Sequence, residues 1–470
     1  MKREIVLSII ICVLLAFTGV SGCCATGETE GFQTVSETPE HESAEVPSEA
    51  VTKSPKEDPE DVQVTEPDIV SEDNPEEVFE EMPEPFSEES PEDEPSGLKD
   101  DEAADLPEEV FDTEPSAMPA PEPHILSYSD DIETIIGTMT LHEKICQMII
   151  VTPAVLTHST RVTSSEYMPA ALSEYPVGGM IFDKSNIVSG QQLRMMISGA
   201  QSCMTIPMIM TLDEEGGRVS RLMGTVGTTP VGAMYLYHEL GPDIAAFNAC
   251  TIGNDIRSFG FNMDLAPVAD VWSNPANTVI GDRAYSTDFD EAAVLVSAAV
   301  LGFHTGGVAC CIKHFPGHGD TSADSHYGSV YIYKTLDELR GNEFKPFISG
   351  INAGADAVMI GHLIVKDQGD VPAVFSYPLL TGVLRNELGF GGVIMSDSLQ
   401  MKAMTDYYGV SDIPVMAVSA GCDMLLMPTD LELTVKSLED AVGNGIISED
   451  RIDESVRRIL TLKKRYISGL

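Results

Sequence analysis

The sequence predicts an α/β fold, a TIM-type (β/α)8 barrel, over residues 126–470. From about Ile125 onward, short apolar segments alternate with amphipathic helical stretches, and strands joined by helical crossovers run parallel. Segments such as MIMTL and GVIMS are apolar without alternation, as strands are when both of their faces are buried. Nearly every such segment runs into polar residues capable of chemistry, and a barrel builds its active site at the C-terminal ends of its strands.

The strand and helix candidates follow one another in regular order. The strand candidates are residues 178–182, 208–212, 262–265, 308–313, 357–361, 392–396 and 424–427. The helical stretches include residues 191–200, 288–304, 336–352 and 433–442. A doubly wound open sheet is the alternative fold, but it gathers ligands at one switch point rather than at nearly every strand. The last strand of the barrel is not evident, so an irregular closure there stays open.

The first residues have the pattern of an export signal. Lys2 and Arg3 precede a short apolar run, and Val20-Ser21-Gly22-Cys23 closes it with small residues before a cysteine. The run is too short for a comfortable transmembrane helix. The tetrapeptide resembles the bacterial lipobox, which implies a signal peptide over residues 1–22, lipidation of Cys23 and an extracytoplasmic protein anchored to the cell membrane. An ordinary secretory signal is the alternative, and it also directs the chain out of the cytoplasm.

Residues 23–125 are predicted to form a disordered acidic tether rich in proline and glutamate. Of the net charge of -48, this segment contributes -31, from 34 Asp and Glu against three lysines. Its apolar residues are too sparse to offset the entropy of ordering, and its charges repel one another. The segment is either a spacer that lifts the domain from the membrane or a passive low-complexity region. The folded part carries -18, so nucleic acid is excluded as a partner.

The cysteines of the folded part favour packing over metal binding. Six remain after Cys12, Cys23 and Cys24, and each lies in an apolar stretch. None has the CxxC or Cys/His spacing of a zinc site, so we expect free thiols that pack as small hydrophobes, no disulfide framework and no metal.

The segment KHFPGHGDTSADSH, residues 313–326, has the highest density of side chains capable of acid–base or metal chemistry. It leaves an apolar strand for a glycine-containing loop with three histidines and two aspartates. It lacks HxH or HExxH spacing, and Lys313 would repel a cation, which disfavours a metal site. Asp324 can accept the ring N–H of His326 and raise its basicity, so that the pair donates and recovers a proton. Taken alone, the pair is better explained by a loop whose histidine and aspartate hydrogen-bond the backbone.

This segment resembles the signature of bacterial β-N-acetylglucosaminidases of glycoside hydrolase family 3. Other motifs match in family order: MTLHEKICQMIIV, GGMIF, LDEEGGRVSRL, FNMDLAPVADV and IGDRAYS before it, and ADAVMIGH, GFGGVIMSDSLQM and AGCDMLLMP after it. The resemblance spans residues 132–470 and none of the tether. It implies a single-domain barrel enzyme without a cofactor, whereas many relatives carry a second α/β domain after the barrel.

The resemblance implies three catalytic residues. Asp397 matches the nucleophile, and a carboxylate at a strand end can attack an anomeric carbon to form a glycosyl-enzyme. Its alternative role is to cap a helix that begins at Ser398. His326 matches the acid/base and Asp324 its supporting partner, in place of the usual second carboxylate.

The resemblance also implies residues that bind the sugar. Asp213 corresponds to the residue that holds the distal hydroxyls of an N-acetylglucosamine ring, since a carboxylate accepts hydrogen bonds well. The other ring contacts are Arg221, Arg283, Lys313 and His314. The alternative is ordinary ion pairing: Arg218 and Arg221 lie near Glu214 and Glu215 in sequence, and Arg283 follows Asp282. His318 is assigned to loop architecture, and His362 is a weaker candidate for lining the site.

Together these features indicate a retaining exo-β-N-acetylglucosaminidase that removes non-reducing terminal N-acetylglucosamine from peptidoglycan-derived fragments. The partners implied are a cell-wall glycan or muropeptide and the membrane, with no protein partner. A family 3 β-glucosidase is one alternative, although those enzymes generally take a carboxylic acid/base from another domain. A phosphorylase is a second, because a neutral histidine does not repel an incoming phosphate. A non-catalytic wall-glycan-binding lipoprotein is the alternative from another class.

Overall fold

The computed structural model describes residues 132–321 and 328–467. The predicted signal peptide, Cys23 and the acidic tether lie outside these residues. Asp324 and His326 also lie outside them, so their predicted roles stay predictions.

Eight parallel strands form one sheet that curves into a barrel surrounded by helices, which confirms the predicted fold class. Its strands are β1 (Ile149–Val151), β2 (Gly179–Ile181), β3 (Ile209–Leu212), β4 (Met263–Asp264), β5 (Ala309–Phe315), β7 (Ala357–Ile360), β9 (Val393–Ser396) and β10 (Leu425–Leu426), in the spatial order β10-β1-β2-β3-β4-β5-β7-β9. Two further strands, β6 (Val330–Ile332) and β8 (Leu363–Val365), form a separate parallel pair. The residues of all eight barrel strands are buried, as continuous apolar segments predict.

The barrel is nearly closed, with one incomplete seam between β9 and β10. Strand β10 forms a ladder with β1, whereas on its other side there is no ladder within the described residues but an isolated bridge between Met395 of β9 and Met424, the residue before β10. The Ser396 amide donates to the Met424 carbonyl at 2.9 Å, and the Ser396 hydroxyl accepts the Leu426 amide at 2.9 Å. The last strand of the barrel, β10, lies within the predicted segment 424–427. The barrel strand that no predicted segment covers is the first one, β1.

Helices connect the strands and cover the outside of the barrel. The α-helices are α1 (Ile132–Thr138), α2 (Leu141–Gln147), α3 (Pro153–Leu156), α4 (Met168–Glu174), α5 (Gly190–Gln201), α6 (Pro242–Arg257), α7 (Phe289–Thr305), α8 (Leu336–Gly341), α9 (Phe344–Asn352), α10 (Lys402–Thr405), α11 (Asp412–Ala420), α12 (Leu431–Gly443) and α13 (Glu449–Tyr466), and residues Pro378–Glu387 form a π-helix. The single helix predicted for residues 336–352 is two helices, α8 and α9. None of the helices in the described ranges is both long enough and apolar enough to span a membrane.

A buried aspartate ties the end of the chain to the face of the barrel opposite the strand C-termini. Asp423, just before β10, is fully buried and accepts hydrogen bonds from Arg385 at 2.6 Å and Arg458 at 2.9 Å. Ser455 of α13 donates to the same carboxylate at 2.8 Å. Buried charges persist where such partners compensate them, so this cluster anchors α13 under the barrel.

The described cysteines are free thiols. Those that are buried are Cys146, Cys310, Cys311 and Cys422, whereas Cys203 and Cys250 are half-buried. Burial raises the pKa of the Cys146 and Cys311 thiols, as expected for thiols that pack as small hydrophobes.

Candidate active site

A cavity of about 490 Å³ opens at the C-terminal ends of the barrel strands. Its walls contain the predicted site residues that the structure describes: Asp213, Arg221, Arg283, Lys313, His314 and Asp397. These side chains come from the ends of β3, β5 and β9 and from the loops after β3 and β4. The barrel therefore brings into one cavity residues that are up to 184 positions apart in the sequence.

Asp213 forms the centre of a charged cluster on one wall. Its Oδ1 lies 2.8 Å from Nζ of Lys313, and its Oδ2 lies 2.8 Å from Nη2 of Arg221. Burial by itself raises the pKa of Asp213, but the positive charges of Lys313 and Arg221 outweigh it and lower the pKa. Asp213 is thus an ionised carboxylate with lone pairs left for hydroxyl groups, since a carboxylate offers about four acceptor sites.

Glu215 holds two of the cavity's cations in place. Nε and Nη2 of Arg283 each lie 2.8 Å from one of its oxygens, and Nζ of Lys313 lies 2.6 Å from Oε1. Burial opposes ionisation of Glu215, but Lys313 and Arg283 together hold its pKa well below the usual range. Sequence reasoning did not assign Glu215 to the site, although its place in LDEEGG beside Asp213 was a usable signal.

A bulge in β5 lets two consecutive residues face the cavity. The pairing of β5 with β7 shifts register between Ile312 and Phe315, and bulges re-aim side chains beside active sites. Lys313 and His314 consequently both line the cavity, although neighbouring residues of a regular strand face opposite ways.

His314 is oriented by a buried aspartate that sequence reasoning missed. Nδ1 of His314 lies 2.6 Å from Oδ2 of Asp270, and the backbone N–H of His318 donates to Oδ1 at 2.6 Å. His318 shapes its loop through Nδ1, 2.8 Å from the Thr321 hydroxyl, and it also lines the cavity.

Glu214 folds the loop that carries Arg221. Its carboxylate accepts the backbone N–H of Arg221 at 2.7 Å and of Leu222 at 2.9 Å, and it also accepts the Ser220 hydroxyl. Its own backbone N–H donates to the buried Asp264 at 3.0 Å. Glu214 therefore sets the position from which Arg221 reaches Asp213.

The arginines do form ion pairs, as the alternative interpretation expected, but their partners are mostly not the sequence neighbours it named. Arg283 pairs with Glu215 rather than with the adjacent Asp282, which instead pairs with Arg218 at 2.9 Å. The Arg221 guanidinium pairs with Asp213, eight residues earlier.

Asp397 follows β9 directly and faces this cluster across the cavity. Its Oδ1 accepts the N–H of Ser398 at 2.7 Å. The proposed helix-capping alternative is wrong, because no helix starts at Ser398 in the described chain and α10 begins only at Lys402. His362 is buried behind this turn, where Nε2 lies 2.8 Å from the Ser398 carbonyl, so it supports the loop rather than lining the cavity.

One group of potential metal ligands lies away from the cavity. Nε2 of His304 is 2.9 Å from Asp356 and 3.8 Å from the sulfur of Cys310. Asp356 also accepts the Cys310 backbone N–H at 3.1 Å and contacts Arg465 at 3.1 Å. These contacts form a hydrogen-bonded network at the N-terminal ends of β5 and β7.

Comparison with known proteins connects this geometry to one family. The model described as "Glycosyl hydrolase family 3 N terminal domain" matches residues 140–462, which is more than half of the chain. The chain belongs to glycosyl hydrolase family 3. The match covers the whole barrel and every cavity residue named above.

Proteins named beta-hexosaminidase are similar to the chain over this region. Beta-hexosaminidase A of Pseudoalteromonas piscicida is 32% identical over 324 residues, which are 63% of this chain and 54% of that protein. Beta-hexosaminidase of Stenotrophomonas maltophilia K279a is 35% identical over 275 residues, 57% of this chain and 81% of that protein.

A solved structure of the same family supports the fold. The β-N-acetylglucosaminidase of Paenibacillus sp. FPU-7 superimposes with a TM-score of 0.66 and 35% identity, over 71% of this chain and 64% of that one. The chain thus spans a little over half of the Pseudoalteromonas protein and under two thirds of the Paenibacillus chain.

Proposed function

We propose that this protein is a retaining exo-β-N-acetylglucosaminidase, or β-N-acetylhexosaminidase. The observation that supports it most directly is that Asp397 shares one cavity with the ionised cluster around Asp213 and Lys313. A carboxylate nucleophile opposite a wall of charged hydrogen-bonding groups fits attack on a terminal sugar ring. The names of the similar hexosaminidases support the same reaction.

The proposed reaction proceeds by double displacement. A carboxylate oxygen of Asp397 attacks the anomeric carbon while the bond from that carbon to the leaving oxygen breaks and the leaving oxygen takes a proton from His326. Water then attacks the anomeric carbon of the glycosyl-enzyme, His326 accepts a proton from that water, and Asp397 departs as a carboxylate. Two inversions restore the β configuration.

The charged wall is proposed to bind the non-reducing sugar. Asp213 accepts its distal hydroxyls, and Arg221, Arg283, Lys313 and His314 supply donors. Because Glu215 and Asp213 already fix the cations, little side-chain entropy remains to be lost when a sugar binds. Asp324 is proposed to hold the ring of His326 by accepting its N–H.

The cellular setting is proposed from the N-terminal sequence. Cleavage before Cys23 and acylation of that cysteine would anchor the enzyme to the outside of the cell membrane. The acidic tether would then give the barrel reach toward cell-wall glycans and muropeptide fragments.

A product assay tests the proposed reaction. The enzyme is incubated with p-nitrophenyl β-N-acetylglucosaminide and with the matching glucoside, each with and without inorganic phosphate. We expect faster release from the N-acetylglucosaminide and free N-acetylglucosamine as the product. A preference for the glucoside would identify a β-glucosidase, and a sugar 1-phosphate product would identify a phosphorylase. No release from either compound would support the alternative of a non-catalytic glycan-binding protein.

A further inference from the structure

Lys402 stands apart from the other residues that line the cavity. Among the cavity-lining residues in the described part of the chain, Lys402 is the exposed one, whereas the rest are buried or half-buried. It lies five positions after Asp397, at the start of α10. Exposure combined with contact to the cavity places Lys402 at the mouth.

The charges deeper in the cavity compensate one another. Lys313 and Arg221 pair with Asp213, and Arg283 pairs with Glu215. The backbone carbonyl of Lys402 accepts the Asp406 amide at 3.2 Å, but its ammonium group forms no hydrogen bond or ion pair within the ranges that the structure describes. The mouth therefore carries a cation whose charge is available to a ligand.

The reaction geometry determines which part of a substrate meets this cation. An exo-acting enzyme holds the non-reducing sugar at the closed end of its cavity, so the leaving group extends from the anomeric carbon toward the mouth. With Asp397 at the anomeric carbon, the leaving group extends toward Lys402, the exposed residue of the cavity wall.

A cation at the mouth can offset the repulsion between this acidic protein and an anionic leaving group. Residues 126–470 carry a net charge of -18, so the protein as a whole repels anions. A neutral leaving group needs no compensation, but one with a carboxylate needs a local positive charge to dock.

We propose that Lys402 forms a leaving-group subsite that recognises a carboxylate on the second sugar. This proposal rests on the proposed glycosidase function. It makes the enzyme selective for disaccharides whose leaving sugar is acidic, as N-acetylmuramic acid is through its lactyl carboxylate. A carboxylate on a peptide attached to that sugar offers the same chemistry from a greater distance.

Matched substrates isolate this contact. The kcat/KM values are compared for three substrates. The first is GlcNAc-β-1,4-MurNAc, and the second is the same disaccharide with its lactyl carboxylate converted to the methyl amide. In the third, the lactyl group is joined through an amide bond to a peptide that bears a free carboxylate. We expect Lys402→Gln to reduce the ratio of kcat/KM for the acid over the methyl amide about fivefold, as an exposed ion pair allows. Lys402→Arg should retain most of the ratio, and added salt should reduce it in the wild type.

Lys436→Gln is the matched control, because Lys436 is an exposed lysine that does not line the cavity. It removes the same charge and should leave the ratio unchanged. An unchanged ratio in Lys402→Gln, or an equal ratio loss in both variants, would overturn the proposed subsite. A ratio change limited to the peptide-bearing substrate would overturn the lactyl assignment. Failure of the wild type to cleave any of the three would instead count against the glycosidase function itself.

Discussion

Oδ2 of Asp270 lies 2.6 Å from Nδ1 of His314 and 3.1 Å from the backbone nitrogen of the same residue. The other oxygen of Asp270 accepts the backbone N–H of His318 at 2.6 Å. Burial alone raises the pKa of this carboxyl group, but His314 and His318 outweigh it and lower the pKa. An ionised Asp270 therefore holds a proton on Nδ1 of His314 and leaves Nε2 as the ring nitrogen for a ligand.

Asp270→Asn should lower kcat/KM on p-nitrophenyl β-N-acetylglucosaminide by about 10- to 100-fold, because hydrogen bonds to a charged group are worth roughly 1.5–3 kcal/mol. The amide can present an N–H toward His314 and so change the ring's tautomer or orientation. Asp290→Asn is the control, since Asp290 is an exposed carboxylate that pairs with Lys345. If both variants match the wild type in steady-state kinetics, Asp270 does not position His314.

Glu214→Gln should raise KM about tenfold while affecting kcat less. The substitution replaces one acceptor oxygen by an NH₂ group that faces backbone N–H groups of the Arg221 loop, and an unsatisfied buried donor costs roughly 1–3 kcal/mol. Arg221 would then lose its fixed approach to Asp213. Kinetics and thermal unfolding are measured together, with the exposed Glu239→Gln as control. A fall in Tm with an unchanged KM would show that Glu214 stabilises the loop without affecting binding.

The fold was readable from sequence because its strands are buried on both faces and end in polar residues. Strand β1 was not predicted because its three apolar residues, separated by one residue from the end of α2, do not stand out from the helix before them. The predicted helix over residues 336–352 breaks at Asn342, whose φ of -132° and ψ of -85° are not helical. Local apolar periodicity continues across that break, so the pattern alone could not locate it.

Site residues could be predicted from sequence where they lie in a family motif, but not where their role depends on a partner distant in the sequence. Asp213 and Lys313 were assigned from family motifs. Glu215 and Asp270 owe their roles to partners 68 and 44 positions away, and only the barrel brings those pairs together. The spacing of these residues in the sequence does not predict such contacts.

Lys463→Met should change how stability depends on pH. Lys463 is fully buried, its Nζ donates to Gln147 at 2.6 Å, and burial lowers its pKa to about 7. An unfolded lysine titrates near roughly 10.4, so from about pH 7 to 10 the unfolded chain binds more protons than the folded one. Wild-type stability should therefore rise with pH across that window relative to the variant.

The measurement is the Tm of the wild type minus that of Lys463→Met, followed from about pH 7 to 10. Lys436→Met, which removes an exposed lysine, should show no such trend. A constant difference for Lys463→Met would mean that Lys463 is protonated in the folded protein throughout the range.

If the proposed anchor is right, Cys23→Ala should abolish lipidation, because the lipobox-like Val20-Ser21-Gly22 would direct acylation to that cysteine. The precursor would stay uncut, or soluble enzyme would be released. Cell fractionation and mass spectrometry of the N-terminus measure the result, and Cys24→Ala is the control. An acyl-free wild-type protein with unchanged membrane retention in Cys23→Ala would refute the anchor.

The last prediction separates the roles of Asp397 and His326. If Asp397 is the nucleophile, Asp397→Ala should remove nearly all turnover on every substrate, since no covalent intermediate can form. General acid–base assistance is worth roughly 10²–10⁴-fold and matters most for poor leaving groups. His326→Ala should therefore abolish most cleavage of disaccharides but spare the first step with an activated phenol, which leaves without a proton.

Slow hydrolysis of the intermediate then makes His326→Ala responsive to azide, an anion that attacks the anomeric carbon without needing a general base. We expect azide to restore turnover and to yield the β-glycosyl azide, detected by mass spectrometry and NMR. Asp397→Ala is the matched negative control. This variant forms no glycosyl-enzyme intermediate for azide to attack, so azide cannot give the β-glycosyl azide. Equal losses on both substrate types in His326→Ala, without azide rescue, would mean that His326 only shapes its loop and that another group supplies the proton.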